Sequence, residues 1–514
     1  MVAGGGAMHL NDSVGKYKME VPMLHEQAAA IAAEAYARIN GMGVCMVTTG
    51  PGGTNAITGV AGAWCESTPM LIISGQVKRA DMMNGRNVRQ YGIQELDIVT
   101  IVRSITKYAV TVREPHTIRY HLERAMYEAT TGRKGPVWLD IPLDVQSAEI
   151  DPDKMQPFEP PEVDAPSLKD EVNQVLEWLN EAERPVLLIG NGARNNLLLD
   201  FVRMLNIPVL STWGAMDTLG HFNHLYFGSP GAVASRGPNF ILQNADFVLI
   251  IGARLDHTIT GYDKEQFCQN AKRVIVDIDR AELEKTPAEL YIEADSKTFM
   301  QKVQLNKWNI KIKFHHTWFG YCERVFQDYH LHYDWTDQVK SNDIIVVGSS
   351  GVTLDELWLS VVLKPNQRMF STMGLGAMGF GIPAAIGACL ASNKPVTCVD
   401  GDGSFQLNIQ ELDTVRRLGL PIKFYYLNNR GYRSIRLTQD RFFDGRHVGS
   451  EFDFVDINRL ADVYGVDITE ICTGSAERPP RYDSMLTADG VQTAKPLYDM
   501  FPPLPRDELF RNML

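Results

Sequence analysis

Short apolar runs, glycine-rich turns and stretches of helical spacing follow one another along this chain in repeated blocks. The clearest block predicts a strand over 395–399, a turn at Gly401-Asp402-Gly403, a helix to about 420, and a second strand over 422–427 closed by Asn428-Asn429. Its helix carries Leu407, Leu412, Val415 and Leu418 on one face and is stopped by Gly419 and Pro421. Apolar runs without alternation mark strands buried on both faces of a parallel sheet. Further strands are predicted over 43–49, 69–74 and 135–142, from 184 onward, over 247–251 and 274–276, and over 344–347. An alanine-rich helix is predicted over 28–39. Pro152, Pro157, Pro160, Pro161 and Pro166, among several acids, read as a linker. The polar and aromatic stretch 302–333 reads as a second linker, and the proline-rich residues from 473 onward as an extended tail or lid. The pattern is α/β throughout.

At 514 residues, a prior of about 150 residues per domain predicts about three domains. The net charge of −12 and the lack of any basic block argue against a nucleic-acid partner. Apolar runs are too short and interrupted for a transmembrane helix, and the first residues lack the pattern of a signal peptide. The seven cysteines are scattered without a CxxC pair. They suit a reducing cytoplasm and argue against structural zinc.

Asp402 and Asn429 follow neighbouring predicted strands, at the carboxyl edge where open α/β sheets bind ligands. A carboxylate and an amide oxygen are hard donors of the kind that hold Mg²⁺ against a diphosphate. The backbone amides of Gly403 and Ser404 stand where a helix start receives phosphate oxygens. Either piece alone is an ordinary turn or loop. The pair, 429 − 402 = 27 positions apart with strand, helix and strand between, is far more specific.

With this spacing the chain resembles the thiamin diphosphate (ThDP) enzymes, and GDGSFQLNIQEL with LPIKFYYLNN is similar to their acetolactate synthase branch. The segments LHEQAAAIAAEAYAR and GLGAMGFGIP extend the resemblance over nearly the whole chain. It implies three doubly wound parallel-sheet α/β domains: pyrimidine-binding (1–150), middle (167–300) and diphosphate-binding (335–472), with a tail over 473–514. Relatives have a helix and a strand before the glycine-rich loop Gly4-Gly5-Gly6, so amino-terminal elements are expected to be missing.

The resemblance also implies roles. Glu26, which by itself reads equally as a helix-start dipole partner, becomes the carboxylate on N1′ of the cofactor pyrimidine. It favours the imino tautomer that removes the thiazolium C2 proton, and burial among apolar side chains is expected to raise its pKa. Gln94, otherwise a surface glutamine, would approach the substrate carbonyl. Met378, otherwise core filler, would prop the cofactor into its bent shape, with the Gly376 carbonyl receiving the 4′-amino hydrogen. Gly431 would supply a further metal ligand. The stretch Gly348-Ser349-Ser350-Gly351, with Gly403, Ser404 and Tyr432, would contact the cofactor. Gly50-Pro51-Gly52-Gly53 is either a capped turn or a loop packed on a neighbouring subunit. In the middle domain Gly190, Gly192, Arg194, Gly252, Arg254 and Asp277 stand where acetolactate synthases contact FAD, although related middle domains have lost it. A bound flavin would be structural, because carboligation transfers no net electrons.

The implied activity is decarboxylation of a 2-keto acid, pyruvate above others, and transfer of the acyl carbanion to a second carbonyl by a homodimer or tetramer. Thr438 replaces the family's tryptophan and implies a roomier acceptor pocket, suited to a nucleotide-linked keto-sugar. A simple decarboxylase or oxidase, a non-catalytic partner of the same fold, and a dinucleotide-dependent oxidoreductase stay open.

Overall fold

The computed structural model of the chain describes residues 1–162, 166–220, 223–312, 315–329, 344–349, 351–472, 480–486 and 492–514. The apolar runs form three sheets whose recorded strand pairings are parallel. The first has β1 (Gly43–Val47), β2 (Met70–Gln76), β3 (Tyr108–Thr111) and β4 (Pro136–Pro142), in the order β1-β2-β4-β3. The middle sheet has β5 (Pro185–Ile189), β6 (Val209–Ser211), β7 (Phe247–Ile251), β8 (Lys272–Asp277) and β9 (Leu290–Glu293), in the order β6-β5-β7-β8-β9. The third has β10 (Ile344–Val347), β11 (Arg368–Phe370), β12 (Val396–Gly401), β13 (Ile422–Asn428) and β14 (Asp467–Cys472), in the order β11-β10-β12-β13-β14. An antiparallel pair, β15 (Ser484–Leu486) with β16 (Gln492–Ala494), stands apart from them. Every residue of β4, β5, β7 and β12 is buried, as strands with both faces covered must be.

The chain folds as two compact units, one holding the first sheet and the third, the other the middle sheet together with Arg368 and Met369 of β11. In the second unit, the stretch expected as a linker contains the helix His316–Asp328, which buries Trp318, Tyr321, Cys322 and Val325. Their spacing is one helical stripe, which the polar residues between them disguise in the sequence. The Trp318 indole donates to the Pro185 carbonyl at 3.1 Å. The end of the chain is not extended either. Leu509 enters the core beside Phe240 and Tyr321, and the Asn512 carbonyl accepts from Asn244 Nδ2 at 2.9 Å and Tyr321 Oη at 2.7 Å.

In the first unit the organising element is the helix Glu26–Asn40, EQAAAIAAEAYARIN. His25 caps its start and Gly41, in the left-handed region at φ 85°, ends it with a hydrogen bond to the Ala37 carbonyl. Its alanines are buried round most of its circumference, as expected of a helix enclosed by others. It packs between the helix Pro51–Cys65 and the helix Gly381–Ser392, the latter belonging to the third sheet, so both sheets share one core. Small side chains let the backbones approach closely. A Cβ on Gly387 would lie 2.0 Å from the Ala32 carbonyl oxygen, and one on Gly59 would lie 2.5 Å from the Ala30 Cβ.

Gly→Ala inside an exposed helix gains about 1 kcal/mol. At Gly387 the sign should reverse, because overpacking costs about 1–3 kcal/mol. A lower denaturant midpoint for Gly387→Ala is expected in equilibrium unfolding, and a raised midpoint would contradict the close approach.

Candidate cofactor and metal site

β12 and β13 pair with Gly401 opposite Leu427, so the residues that follow leave the sheet side by side. The Asp402 carboxylate is buried there. One oxygen accepts the Gly403 amide at 2.7 Å, and the other accepts the amides of Asn429 and Gly431, both at 2.9 Å. Hydrogen bonds to an ionised acceptor are worth about 1.5–3 kcal/mol each, so the turn after β13 is built around this carboxylate. Burial nevertheless pushes the Asp402 carboxyl above its ordinary range, while the three amides and the Arg436 charge pull it back. Arg436 also donates to the carbonyls of Asn429 and Arg430.

Asn428 and Asn429 divide their work. Successive residues of an extended segment face opposite ways. Asn428 donates to Glu470 at 2.7 Å and accepts from the Arg430 amide at 3.1 Å. Asn429 is buried at the site, its amide nitrogen donating to the Leu427 carbonyl at 3.3 Å. Gly431, at φ 105°, tolerates no side chain, because a Cβ would lie 2.4 Å from the Ser450 carbonyl oxygen.

Among the described residues no three His, Cys, Asp or Glu side chains converge on a metal position. The Asp402 carboxylate instead gathers the turn backbone through the Asn429 and Gly431 amides, which leaves one carboxylate, one side-chain amide and the turn carbonyls as candidate donors. They are hard oxygens and too few to fill an octahedron. Such a set fits Mg²⁺ shared with water and phosphate oxygens, and does not fit zinc.

The loops around the turn are tied to it. Ser404 Oγ donates to Asp400 and accepts the Gly379 amide, each at 3.0 Å. Asn408 Nδ2 donates to the Gly379 carbonyl at 2.7 Å. These bonds anchor the loop that carries Gly376 and the half-buried Met378. The Gly376 carbonyl accepts the Ser349 hydroxyl at 2.6 Å. A Cβ on Gly351 would meet the Ser434 side chain at 3.3 Å, and one on Gly403 would strike the Tyr432 ring at 2.3 Å. Ser350 lies outside the described residues.

Glu26 is the first residue of its helix and is half-buried, not enclosed among apolar side chains as expected. Its Oε2 accepts from Asn55 Nδ2 at 3.0 Å, a partner within the first sheet's own layer. The polar contact follows from its place at a helix start, where the side chain stands clear of the alanine face.

The chain matches the N-terminal TPP binding, central and C-terminal TPP binding domains of the thiamine pyrophosphate enzymes over residues 1–101, 172–303 and 347–492. It is 32% identical to the acetolactate synthase large subunit of Cyanidium caldarium, over 93% of this chain and 87% of that one. It is 31% identical to the isozyme 2 large subunit of Escherichia coli, over 95% and 90%, and 33% identical to the chloroplastic acetolactate synthase of Arabidopsis thaliana, over 86% and 69%. The chain belongs to the acetolactate synthase family of thiamine pyrophosphate enzymes. It is thus a ThDP-dependent enzyme, thiamine pyrophosphate being the same cofactor.

In this family member Gln94 is exposed on a loop, held in the left-handed region at φ 68°. Its carbonyl accepts from Thr49 Oγ1 at 3.3 Å and packs so closely on Gly50 that a Cβ there would lie 2.5 Å away. Thr49 also donates to Gln76, which donates in turn to Asp140 at 3.1 Å and to the Leu96 carbonyl at 2.9 Å. Glu95, buried next to Gln94, accepts the amides of Met83, Tyr91 and Gly92. Gln94 apart, the members of this network do not stand out in the sequence, because they are scattered over 49–140.

In the middle sheet the strand order reverses between β5 and β7, the topological switch point. Gly190, Gly192 and Gly252 meet there. The Gly192 amide donates to the Gly252 carbonyl at 2.9 Å, and a Cβ on Gly190 would lie 2.1 Å from that oxygen. Backbone packing between two loops therefore accounts for all three glycines. Arg254 pairs with Asp256 at 2.9 Å, and Asp277 accepts the Asp279 amide at 2.9 Å. Arg194 and Arg368 both bond the buried Asp217. Burial works against the Asp217 charge, yet the two guanidiniums hold its carboxyl below the usual range. Arg194, Arg254 and Asp277, at the carboxyl edge of the sheet, thus all engage partners within the protein.

Burial pushes the Asp140 carboxyl up to about 7, against the pull of Ser74, Gln76 and Thr111. The folded state therefore keeps a proton that the unfolded chain releases near pH ~4. Its contribution to stability is full below that pH and is lost as pH rises through about 7, by at most about 1.4 kcal/mol per unit. Denaturant midpoints at about pH 5 and about pH 8 should differ less in Asp140→Asn than in the parent. Equal differences in the two proteins would show that Asp140 carries no such proton.

Proposed function

We propose that the protein is a ThDP- and Mg²⁺-dependent carboligase that decarboxylates a 2-keto acid, with pyruvate as donor, and joins the acyl unit to a second carbonyl. The observation that carries this reading is the turn of Asn429 and Gly431 wrapped on the Asp402 carboxylate, in a chain whose relatives are acetolactate synthases. When bound, ThDP supplies the electron sink that lets carbon dioxide leave. Asp402, the Asn429 amide oxygen and the Gly431 carbonyl would hold Mg²⁺. Gly351, Gly403, Ser404 and Tyr432 bind the cofactor at the same edge, and the Gly376 carbonyl accepts from its 4′-amino group. Met378, on the same loop, would support the bound cofactor. Glu26 takes and returns a proton at pyrimidine N1′. Gln94 orients the substrate carbonyl.

In this reading two copies of the chain form the active unit, as the family resemblance implies. The seven cysteines, scattered without a CxxC pair, support a reducing, cytoplasmic setting. Among the described residues no helix is long and apolar enough to cross a membrane. Arg194, Arg254 and Asp277 support FAD in the middle domain, in a structural role. A bulkier ketone as acceptor is the second reading. It rests on Thr438, small and exposed on the helix Arg433–Phe442, which buries none of its residues.

Carbon dioxide release from pyruvate with ThDP and Mg²⁺ is the direct test. Glu26→Gln should slow it by about 10²–10⁴-fold, the range for loss of a positioned acid–base group. A parent protein that releases none refutes the carboligase reading. Mass spectrometry of the products formed from pyruvate with a panel of ketones identifies the acceptor. A colourless preparation without extractable flavin would remove FAD from the reading.

A further inference from the structure

Glu411 lies 411 − 402 = 9 positions after Asp402 and is fully buried. Its carboxylate reaches out of the third sheet's layer. Oε1 accepts the amides of Leu24 and His25, both at 3.0 Å, while Oε2 accepts the Thr414 hydroxyl at 2.7 Å. Those two amides stand directly before Glu26. Amides at a helix start have no intrahelical acceptor, and a carboxylate there is favoured by the helix dipole. His25 completes the cap, its Nδ1 accepting the Gln27 amide at 3.1 Å. Arg417 donates to the Pro22 carbonyl at 3.1 Å. The chain entering the Glu26 helix is thus gripped by donors and acceptors of the segment that follows the metal turn.

We propose that Glu411 is a positioning residue for Glu26: by holding the Leu24 and His25 amides it sets where the Glu26 carboxylate stands. The inference rests on the reading of Glu26 as the group that handles the pyrimidine proton. Such a group must come within about 2.6–3.2 Å of its partner atom, and a displacement of about 1 Å costs about 10²-fold. Without the Glu411 carboxylate the Leu24 and His25 amides lose their acceptor and the helix entry shifts. The task needs an acceptor at full reach and does not need the charge. Gln at this position keeps the acceptor, whereas Asp keeps the charge one methylene short.

Three readouts on the full chain test this. They are amide hydrogen–deuterium exchange over 22–26 without cofactor, ThDP affinity with Mg²⁺, and the rate at which bound ThDP exchanges its C2 proton for deuterium. Glu411→Ala should speed the amide exchange and slow C2 exchange, each by about 10-fold or more, with ThDP affinity within about threefold of the parent. Glu411→Gln should restore both rates. Should the alanine variant not fold, Gln against Asp decides: fast C2 exchange in Gln and slow in Asp supports positioning, and the reverse overturns it. Unchanged C2 exchange in Glu411→Ala, or a loss of ThDP affinity that matches the loss of exchange, also overturns it. Glu26→Gln separates the two ideas. If it leaves C2 exchange intact, the reading of Glu26 is wrong. If it abolishes exchange while Glu411→Ala does nothing, only the positioning inference falls.

Discussion

One buried carboxylate organises the functional edge of this protein. Asp402 draws three backbone amides onto itself, from the start of its own helix and from the turn after the neighbouring strand. Amides that would otherwise be buried without acceptors become the frame of a site. The balance is uneven, since burial still lifts the carboxyl above its normal range. A divalent cation would tip it, because a positive charge favours the ionised form of a buried acid. The same parallel register that pairs Gly401 with Leu427 brings both halves of the arrangement to one edge.

The second constraint is the close approach of small residues. The helix Glu26–Asn40 fits between its neighbours only because Gly59, Gly387 and its own alanines leave no side chain in the way. That packing makes the helix a strut between two ligand-bearing layers. At its start the Leu24 and His25 amides meet Glu411. At its far end Arg38 donates to the Ser371 carbonyl at 2.9 Å. Glu66, just past the end of the next helix, pairs with Arg38 at 3.6 Å and accepts the Gly374 amide, so the loop leading to Gly376 and Met378 is fastened to the same element. A shift of this helix would move Glu26 and that loop together.

The middle sheet shows how one residue type can serve two ends. Gly190, Gly192 and Gly252 are required by the meeting of two backbones at the switch point, with or without a nucleotide. A glycine pattern after a strand therefore speaks first to packing. The charged side chains around it carry the information about a ligand, and here Arg194 and Arg254 already hold acidic partners.

Local patterning was enough to determine the parallel α/β class, the paired Asp402 and Asn429 and most of the strands, though not β3, β6, β9, β11 or β14, because apolar runs and turn residues act over a few neighbouring positions. Family likeness supplied Glu26, Gln94 and Met378, which periodicity alone leaves as a helix start, a surface residue and core filler. The apolar stripe of the helix His316–Asp328 was legible in principle and was masked by its polar neighbours. Only the tertiary structure decided the rest. It showed that Glu26 is half-buried beside Asn55, that Glu411 grips the entry to its helix from 387 positions away, and that Gln76 and Asp140 brace the loop of Gln94. These contacts join residues far apart in the chain, and their strength depends on burial and distance, which exist only after the layers have packed.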